Sequence, residues 1–461
     1  MGVEPRDAGK WKTGMDRRTE DELAAVSAET KQARDIRARW NWVEPEVWTD
    51  RMLTALEQGV KGGQWFSLMD KVYSAGNLRQ AFRGVQANGG AAGVDHETVE
   101  MFARQEEANV EKISRALRRN EYQPAAVKRV WIPKPGSKEM RPLGIPTVRD
   151  RVVQAALCHV LEPIFERDFA EHSYGFRPNR GCKDALRRVD DLLHHGYTWV
   201  VDADLKSYFD TIPAEKLLAR VADKISDGRV LQLVQAYLRQ GVLEEAKYWT
   251  PDKGTPQGGV VSPLLSNIYL DPLDHHMAAL GIEMVRYADD FVLLCRTESQ
   301  AQTALAEVQK WTAQAELLLH PEKTRIVDAT QRGGFEFLGY HFERGMKWPR
   351  AKSLAKFKTT VRHHTRRRNR NSLPMIISQL NRSLTGWFQY FQHSHKTTFP
   401  LLDSWIRMRL RSILRCRQGR RGGGRGFDHY RWTNAFFAEQ GLFSLCATHA
   451  SVRQSLCKVT R

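Results

Sequence analysis

The stretch Arg286-Tyr-Ala-Asp-Asp-Phe-Val-Leu-Leu294 places two adjacent carboxylates between short apolar runs that have the composition of β-strands. An Asp pair is too costly to bury in a sheet without compensating charge. In the tight turn of a hairpin, Asp289 and Asp290 can instead project into a cleft, where their oxygens suit a hard cation such as Mg²⁺. A solvated Asp-Asp turn is the alternative for an isolated dipeptide, and the rest of the chain decides between the two.

A second acidic stretch ends an earlier predicted strand, about 197–205, which carries Asp202 and Asp204. With a helix between them, two strands of one sheet can bring Asp204 and Asp289 together. Two carboxylates that hold two Mg²⁺ ions about 3.5–4 Å apart provide what in-line phosphoryl transfer requires. Strand alternation predicts that Asp290 faces differently from Asp289 and supports the site without binding metal directly.

Several residues are candidates for holding a nucleotide. A hairpin is predicted over 127–146, and Lys134 and Arg141 near its tip could neutralise a triphosphate, although a solvated basic hairpin is the alternative. Phe209 could pack under the sugar and exclude a 2′-hydroxyl, or it could be a core aromatic. In the loop before a predicted helix at 264–280, Gln257 and Gly258 could line the pocket, because glycine lets the backbone approach a base.

Seven motifs occur in one order along the chain. They are Arg141-Pro-Leu-Gly-Ile-Pro146, Tyr174-Gly-Phe-Arg-Pro178, Asp204-Leu-Lys-Ser-Tyr-Phe-Asp210, Thr255-Pro-Gln-Gly-Gly-Val-Val-Ser-Pro263, Tyr287-Ala-Asp-Asp290, His320-Pro-Glu-Lys-Thr324 and Phe337-Leu-Gly-Tyr340. This set resembles the reverse transcriptases encoded by bacterial group II introns, over about residues 70 to 345. The segment Leu384-Thr-Gly-Trp-Phe-Gln-Tyr-Phe391 resembles the maturase domain of that family and extends the match to roughly residue 415.

The resemblance implies an α+β right-hand polymerase with fingers, an antiparallel palm sheet and a basic helical thumb. It implies that Asp204, Asp289 and Asp290 are catalytic and bind two Mg²⁺ ions together with Leu205. The nucleotide contacts would come from Lys134, Arg141, Phe209, Gln257 and Gly258. The expected domains are a polar arm and helical extension (1–65), fingers and palm (66–345), a thumb or maturase domain (346–418) and an Arg/Gly linker with a basic tail (419–461).

The charge of the chain is concentrated at one end. The net charge is +18, yet 24 Lys or Arg residues face only three acids after residue 345, so the first 345 residues are slightly acidic. Such a tail indicates a polyanionic partner, because phosphates attract cations while aromatics stack on unpaired bases. A solvated charged face is the alternative. The predicted RNA-binding residues are Arg366, Arg367, Arg368, Arg370, Arg415, Arg417, Arg420 and Arg421.

Composition also limits the setting of the protein. No apolar run approaches the roughly 20 residues that span a bilayer, and the six scattered cysteines form no Cys-x-x-Cys pair. We therefore expect reduced thiols in an intracellular protein, and the resemblance implies a cytoplasmic bacterial protein that associates with the nucleoid when it acts on DNA. By resemblance, its partners are the group II intron RNA, an RNA template with a DNA primer, dNTPs and target DNA, with no membrane.

The chain lacks the Cys-pair and His-Asn-His nuclease region that many relatives carry, so we expect no cleavage of the target strand by this protein. Insertion would then use another primer, such as nascent DNA at a fork. Two other functions stay open: a splicing-only RNA-binding maturase, and a domesticated host reverse transcriptase in DNA repair or phage defence.

Overall fold

The computed structural model describes residues 35–459, apart from residues 61, 134–139, 245–246, 250–253, 255–257, 423 and 425. The chain divides into two compact units. One comprises Met1–Arg129, Gly144–Phe169 and Pro213–Ile268, and the other comprises Val130–Leu143, Ala170–Ile212 and Tyr269–Arg461. Among the described residues, no helix has the length and apolar character needed to cross a membrane.

The helices up to the second acidic motif are α1 (Asp50–Gln58), α2 (Met69–Val72), α3 (Ala75–Asn88), α4 (Val99–Arg104), α5 (Glu106–Arg118), α6 (Val148–Glu166), α7 (Cys182–His194) and α8 (Tyr208–Thr211). The later helices are α9 (Ala214–Ala222), α10 (Gly228–Leu238), α11 (Ser262–Ala279), α12 (Glu298–Gln314), α13 (Ala351–His364), α14 (Leu373–Phe391), α15 (Thr398–Arg417), α16 (Asp428–Arg431), α17 (Asn434–Glu439) and α18 (Leu445–Val459). The strands are β1 (Val127–Pro133), β2 (Met140–Ile145), β3 (Trp199–Asp204), β4 (Val242–Glu244), β5 (Lys247–Trp249), β6 (Glu283–Tyr287), β7 (Asp290–Cys295), β8 (Arg325–Asp328), β9 (Phe335–Phe337), β10 (Tyr340–Glu343) and β11 (Met346–Pro349).

The first unit is built around α3 and α6, which pack along each other. Side-chain oxygens start both helices: Ser74 accepts from the backbone of α3, and Thr147 accepts from the backbone of α6. Buried Asn77 of α3 donates to the Ala156 carbonyl of α6 at 3.0 Å, so a polar side chain ties the apolar faces together. In this unit β1 pairs in parallel with β4, and β4 pairs antiparallel with β5.

The second unit contains the central sheet, with strand order β6-β7-β3-β8 and every neighbouring pair antiparallel. Strand β7 is buried at every position after Asp290, and β3 buries Val200, Val201 and Ala203, which is typical of strands with apolar cover. Helix α12 packs on β3 and β7, while α7 packs on β6. The predicted antiparallel palm sheet is thus present.

The sequence Phe335-Glu-Phe-Leu-Gly-Tyr340 predicts one short strand, but the structure has two strands separated by a turn. Leu338 and Gly339 have φ angles of 45° and 85°, a turn that separates β9 from β10. The two strands pair antiparallel, and β11 adds to the other edge of β10. Phe335 and Phe342 stack with their ring centroids 4.9 Å apart and form part of the apolar core beside this small sheet.

The basic end of the chain folds as helices α13 to α18 around one apolar cluster. The sequence predicts helices at about 351–370, 374–393 and 398–418, and they are found as α13, α14 and α15, although the first ends at His364. The cluster extends past the expected limit at 418, because Trp432, Phe437 and Leu445 lie within it. Gly424, placed in the predicted linker, is buried, and an added Cβ there would approach Arg411 Cβ to 2.4 Å.

Candidate active site

The central hairpin has the form that its sequence predicts. Strands β6 and β7 pair as far as Tyr287 and Asp290, so Ala288 and Asp289 form the turn between them. Ala288 adopts a φ of 60°, a conformation that the tight two-residue connections of hairpins require. The two carboxylates therefore stand at the open end of the sheet.

The register of the sheet brings Asp204 next to this turn. Asp204 lies directly opposite Asp290 across β3 and β7. Residues opposite each other in an antiparallel pair project to the same face, and Asp202 shares that face because it is two positions from Asp204. Asp290 is thus the cross-strand neighbour of Asp204.

The carboxylates at this end of the sheet repel one another. Burial, and then the charges of Asp289, Asp202 and Asp204, raise the pKa of Asp290 to about 7. Burial raises the pKa of Asp289 too, and Arg141 opposes that rise. Burial likewise raises the pKa of Asp202 to about 6, against the charge of Arg325. This concentration of like charge calls for cations.

Two cationic side chains at the start of β8 partly compensate the negative charge of these carboxylates. Lys323 Nζ lies 2.6 Å from Asp204 Oδ2, and Arg325 Nε lies 3.6 Å from Asp202 Oδ2. The motif that contains Lys323 is evident in the sequence, but the sequence does not indicate a role for that lysine. The relevant signal is non-local, because the contact depends on β8 pairing beside β3.

A buried ion pair holds the hairpin in place. Arg286 is fully buried and donates to Asp274 of α11 from Nε at 2.8 Å. Its Nη1 also donates to the Ala288 carbonyl in the turn at 3.0 Å. Gly175 packs on the same turn so closely that an added Cβ would lie 2.2 Å from the Ala288 nitrogen. Both residues fix the position of the acidic turn.

The nucleotide-contact candidates have different placements. Arg141 is exposed on β2, and its charge acts on Asp289. Phe209 is half-buried on α8 and makes an edge contact with Tyr208 at 5.4 Å. Lys134 and Gln257 lie outside the described residues. Gly258 is exposed with a φ of 108° and belongs to the first unit.

A cavity of about 540 Å³ opens beside Asp290 within the second unit. Gly339, Arg350 and Lys356 line one part of it, and Trp387 of α14 lines another. Within the described chain, Arg350 Nε and Trp387 Nε1 are buried hydrogen-bond donors without a partner. The cavity thus offers two positive side chains and donors next to the carboxylates, which suits a phosphate-bearing chain.

The donor set fits a divalent metal ion by its chemistry. Oxygens of Asp204, Asp289 and Asp290, with the backbone carbonyl of Leu205 next to them, are the ligands that hard cations prefer. The pKa of Asp290 is raised partly by its acidic neighbours, and a cation would reverse that effect. In the described part of the chain, no group of three or more His, Cys, Asp or Glu is already arranged to hold an ion.

The predicted RNA-binding arginines divide into two groups. Three are tied into the fold: Arg367 donates to the Gly422 carbonyl, Arg415 pairs with buried Asp428 at 2.8 Å, and Arg417 donates to the Asn371 carbonyl. Arg367 and Arg417 are nevertheless solvent-exposed, as are the other five: Arg366, Arg368, Arg370, Arg420 and Arg421.

An antiparallel sheet with clustered carboxylates at a hairpin turn, followed by a basic helical domain, defines a template-directed nucleotide polymerase. Residues 132–342 match the family model "Reverse transcriptase (RNA-dependent DNA polymerase)", and residues 354–431 match "Group II intron, maturase-specific domain". The chain belongs to the family of group II intron reverse transcriptases with a maturase domain, and its enzyme class is RNA-directed DNA polymerase.

Several relatives share these segments. Protein YkfC of Escherichia coli K12 is 32% identical over 346 residues, which cover 67% of this chain and 86% of YkfC. The group II intron-encoded protein LtrA of Lactococcus lactis is 39% identical over 45% of this chain, but that match spans only 34% of LtrA. A 91 kDa protein in the cob intron of Schizosaccharomyces pombe is 42% identical over 38% of this chain and 21% of its own length.

The solved structures that resemble the chain are more distant. A telomerase from Candida albicans is 12% identical and covers 69% of this chain and 60% of its own, with a TM-score of 0.42. A chain of a partial Cas6-RT-Cas1–Cas2 complex is 24% identical over 54% of this chain and 41% of its own, with a TM-score of 0.35.

Proposed function

We propose that Asp204, Asp289 and Asp290 form the catalytic centre for DNA synthesis on an RNA template. The observation that carries this assignment is the register that sets Asp204 opposite Asp290, with Asp289 in the adjoining turn. In the reaction, the primer 3′-oxygen attacks the α-phosphorus of a dNTP. The bond from that phosphorus to the β-phosphate bridge breaks, and pyrophosphate leaves.

Asp204, Asp289, Asp290 and the Leu205 carbonyl would hold two Mg²⁺ ions, which lower the pKa of the attacking hydroxyl and neutralise the leaving pyrophosphate when bound. Lys323 is ion-paired with Asp204, so its ammonium group would release that carboxylate and stand beside the reacting phosphates. Exposed Arg141 would contact the triphosphate from β2, joined by Lys134, which the sequence predicts near the tip of the 127–146 hairpin.

Phe209 would act as the sugar filter. It follows Asp204 by five residues, and the left-handed φ of 52° at Ser207 turns the chain between them into α8. A half-buried ring at this position would leave room for a deoxyribose and exclude a 2′-hydroxyl. Replacing Phe209 by Val should raise incorporation of ribonucleotides relative to deoxyribonucleotides. Phe66→Val, at a residue that is 78% exposed in the first unit, is the matched control.

The primer strand would lie in the cavity beside Asp290. Arg350 and Lys356 provide positive charge there, and Trp387 offers a ring and an indole N–H. A primer end in this cavity would place its 3′-hydroxyl next to the carboxylates.

Intron RNA, target DNA and the template would bind along the basic helical domain. The exposed arginines Arg366, Arg368, Arg370, Arg420 and Arg421 provide the phosphate contacts in this proposal. Splicing assistance would depend on this surface and would not use the three Asp residues. In this proposal the protein would act on intron RNA and DNA in the bacterial cytoplasm, at the nucleoid during insertion.

The decisive experiment is primer extension by Asp289→Asn on an RNA template, because the substitution removes a metal-binding charge and keeps the shape. Extension should fall by at least about a hundredfold, with RNA binding and assisted splicing retained. Asp223→Asn, at an exposed carboxylate in the first unit, is the matched control. Primer extension that survives Asp289→Asn would overturn the catalytic assignment. Loss of both extension and assisted splicing in this variant would refute the proposal that the two activities are independent.

The same assay tests the metal. Chelation should abolish extension, and added Mg²⁺ should restore it. Full activity in the chelator would exclude the proposed use of metal.

A further inference from the structure

A second cavity, of about 630 Å³, lies in the second unit and has no part in the proposed catalytic centre. Its walls come from α7, the β10–β11 hairpin, the segment that joins α14 to α15, and α18. The chemistry-bearing residues that line it are Asp190, His194, Lys347, His393, His395, Lys396, His449 and Arg453. Four histidines and three permanent cations therefore share one hollow.

The charge balance of this cavity favours an anion. Asp190 is the one carboxylate among the described residues that line it, and it is already ion-paired with Lys347. Among the described residues, no carboxylate is ion-paired with Lys396 or Arg453, so both add net positive charge to the lining. Both side chains are exposed, and their charge attracts an anion to the cavity.

The histidines are held in place by the surrounding backbone and rings. His395 donates its backbone N–H to the Lys347 carbonyl at 2.7 Å, and its ring lies 5.6 Å from that of Trp348. The ring of buried His449 stacks on Phe399 with centroids 4.5 Å apart. The donors are thus positioned before any ligand arrives, which lowers the entropic cost of binding.

We propose that this cavity is a phosphate-binding site. Lysine, arginine and protonated histidine are the side chains that form charge-assisted hydrogen bonds with phosphate oxygens. The source of the phosphate is either a nucleic-acid backbone or a free phosphate compound such as pyrophosphate, and the two share this chemistry. The RNA source rests on the proposed function, whereas the free-phosphate source does not.

Binding should strengthen as the pH falls. Burial lowers the pKa of His393, as do the charges of Lys347, Arg187 and Lys183, while Asp190 opposes them. Burial also lowers the pKa of His449, aided by Arg453 and His395. A bound phosphate favours the protonated form of both rings, so binding takes up protons and becomes tighter below the usual histidine range.

The test measures binding to the full chain in chelator and without dNTPs, so that it is independent of polymerisation. One probe is a short fluorescent single-stranded RNA, whose phosphodiester charge does not titrate in this range, and the other is inorganic pyrophosphate. The double variant Lys396→Ala/Arg453→Ala should weaken binding several-fold. For RNA it should reduce the slope of log affinity against log salt by about 1.4, because each phosphate on a single strand contributes about 0.7.

Two further variants make the test specific. Asp190→Asn should tighten binding, because it removes the one lining carboxylate and releases Lys347 from its ion pair. Lys310→Ala, at an exposed lysine on α12, should change nothing. Protection of His393 and His395 from carbethoxylation by either probe, with exposed His96 as the reference, reports binding at the cavity itself.

The outcomes separate the sources. Weakened RNA binding in the double variant assigns the site to a nucleic-acid backbone, and weakened pyrophosphate binding alone assigns it to free phosphate compounds. Unchanged affinity for both probes, or no protection of the two histidines, overturns the proposal. Failure of Asp289→Asn to stop extension would refute the catalytic assignment and leave this result unaffected.

Discussion

Replacing Arg286 by Met should uncouple the acidic turn from the fold. The substitution keeps an unbranched apolar stem but leaves Asp274, only 6% exposed, without its partner. Breaking a buried ion pair in this way costs about 3–5 kcal/mol. Protonation limits the cost, since neutralising a carboxyl with the reference pKa of about 3.9 at pH 7 requires about 4 kcal/mol. We therefore expect a loss of about 4 kcal/mol in the free energy of unfolding at pH 7, and less at pH 5.

A second substitution separates stability from positioning. Arg286→Met/Asp274→Leu replaces the ion pair by apolar groups, which is often neutral or stabilising. Stability should return in the double variant, while primer extension stays low because the Ala288 carbonyl has still lost its donor at 3.0 Å. Urea unfolding measures the first quantity and single-turnover extension the second. Full extension in the double variant, or a single variant within about 1 kcal/mol of the natural protein, would refute the reasoning.

Three further perturbations follow from the same geometry. Burial lowers the pKa of His159 to about 4, so as the pH falls the unfolded state binds this proton before the folded state does. The free energy of unfolding should therefore fall by about 2 kcal/mol between pH 8 and pH 5. Urea titrations of His159→Gln should show a weaker pH dependence. Gly175→Ala should reduce primer extension at least about tenfold, because its Cβ would collide with the Ala288 backbone. In the control variant Gly386→Ala the added Cβ would have nothing within 4 Å, so extension should stay intact and α14 should be stabilised by roughly 0.5–1 kcal/mol. Asp290→Asn should raise the thermal midpoint in chelator at pH 7 and above. The pKa of Asp290 is about 7 in the fold and about 3.9 in the unfolded chain, so stability is lost as the pH rises from about 4 to about 7; a lower midpoint would contradict this.

The sequence was sufficient to predict the local elements of the site. Alternating and apolar runs indicated strands β3, β6 and β7, and the Asp pair between two such runs predicted the hairpin turn. Both are local patterns, so they can be recognised without the fold. Register is different, because it depends on partners far along the chain. The pairing that sets Asp290 directly opposite Asp204 emerges only from the assembled sheet.

The supporting residues were harder to predict for the same reason. Lys323 is 119 residues from Asp204, and no periodicity links them. Gly175 resembles any turn glycine until the chain beside it is seen to be the backbone of Ala288. In the sequence, Asp274 looks like any polar residue of a helix. Its role as an ion-pair partner is visible only once Arg286 is seen to be buried beside it. Such residues act through contacts that short-range patterns do not encode.

At the end of the central sheet, the folded protein holds several carboxylates in an electrostatically unfavourable arrangement. Asp202, Asp289 and Asp290 all have raised pKa values, with burial as the first cause in each. A sequence selected for stability alone would replace at least one of them by a neutral side chain. Their presence at one end of the sheet, with Lys323 and Arg325 as partial counter-charges, is explained if a stronger cation binds during the reaction. The repulsion among these carboxylates is then a source of metal affinity, because binding relieves a cost that folding has already imposed.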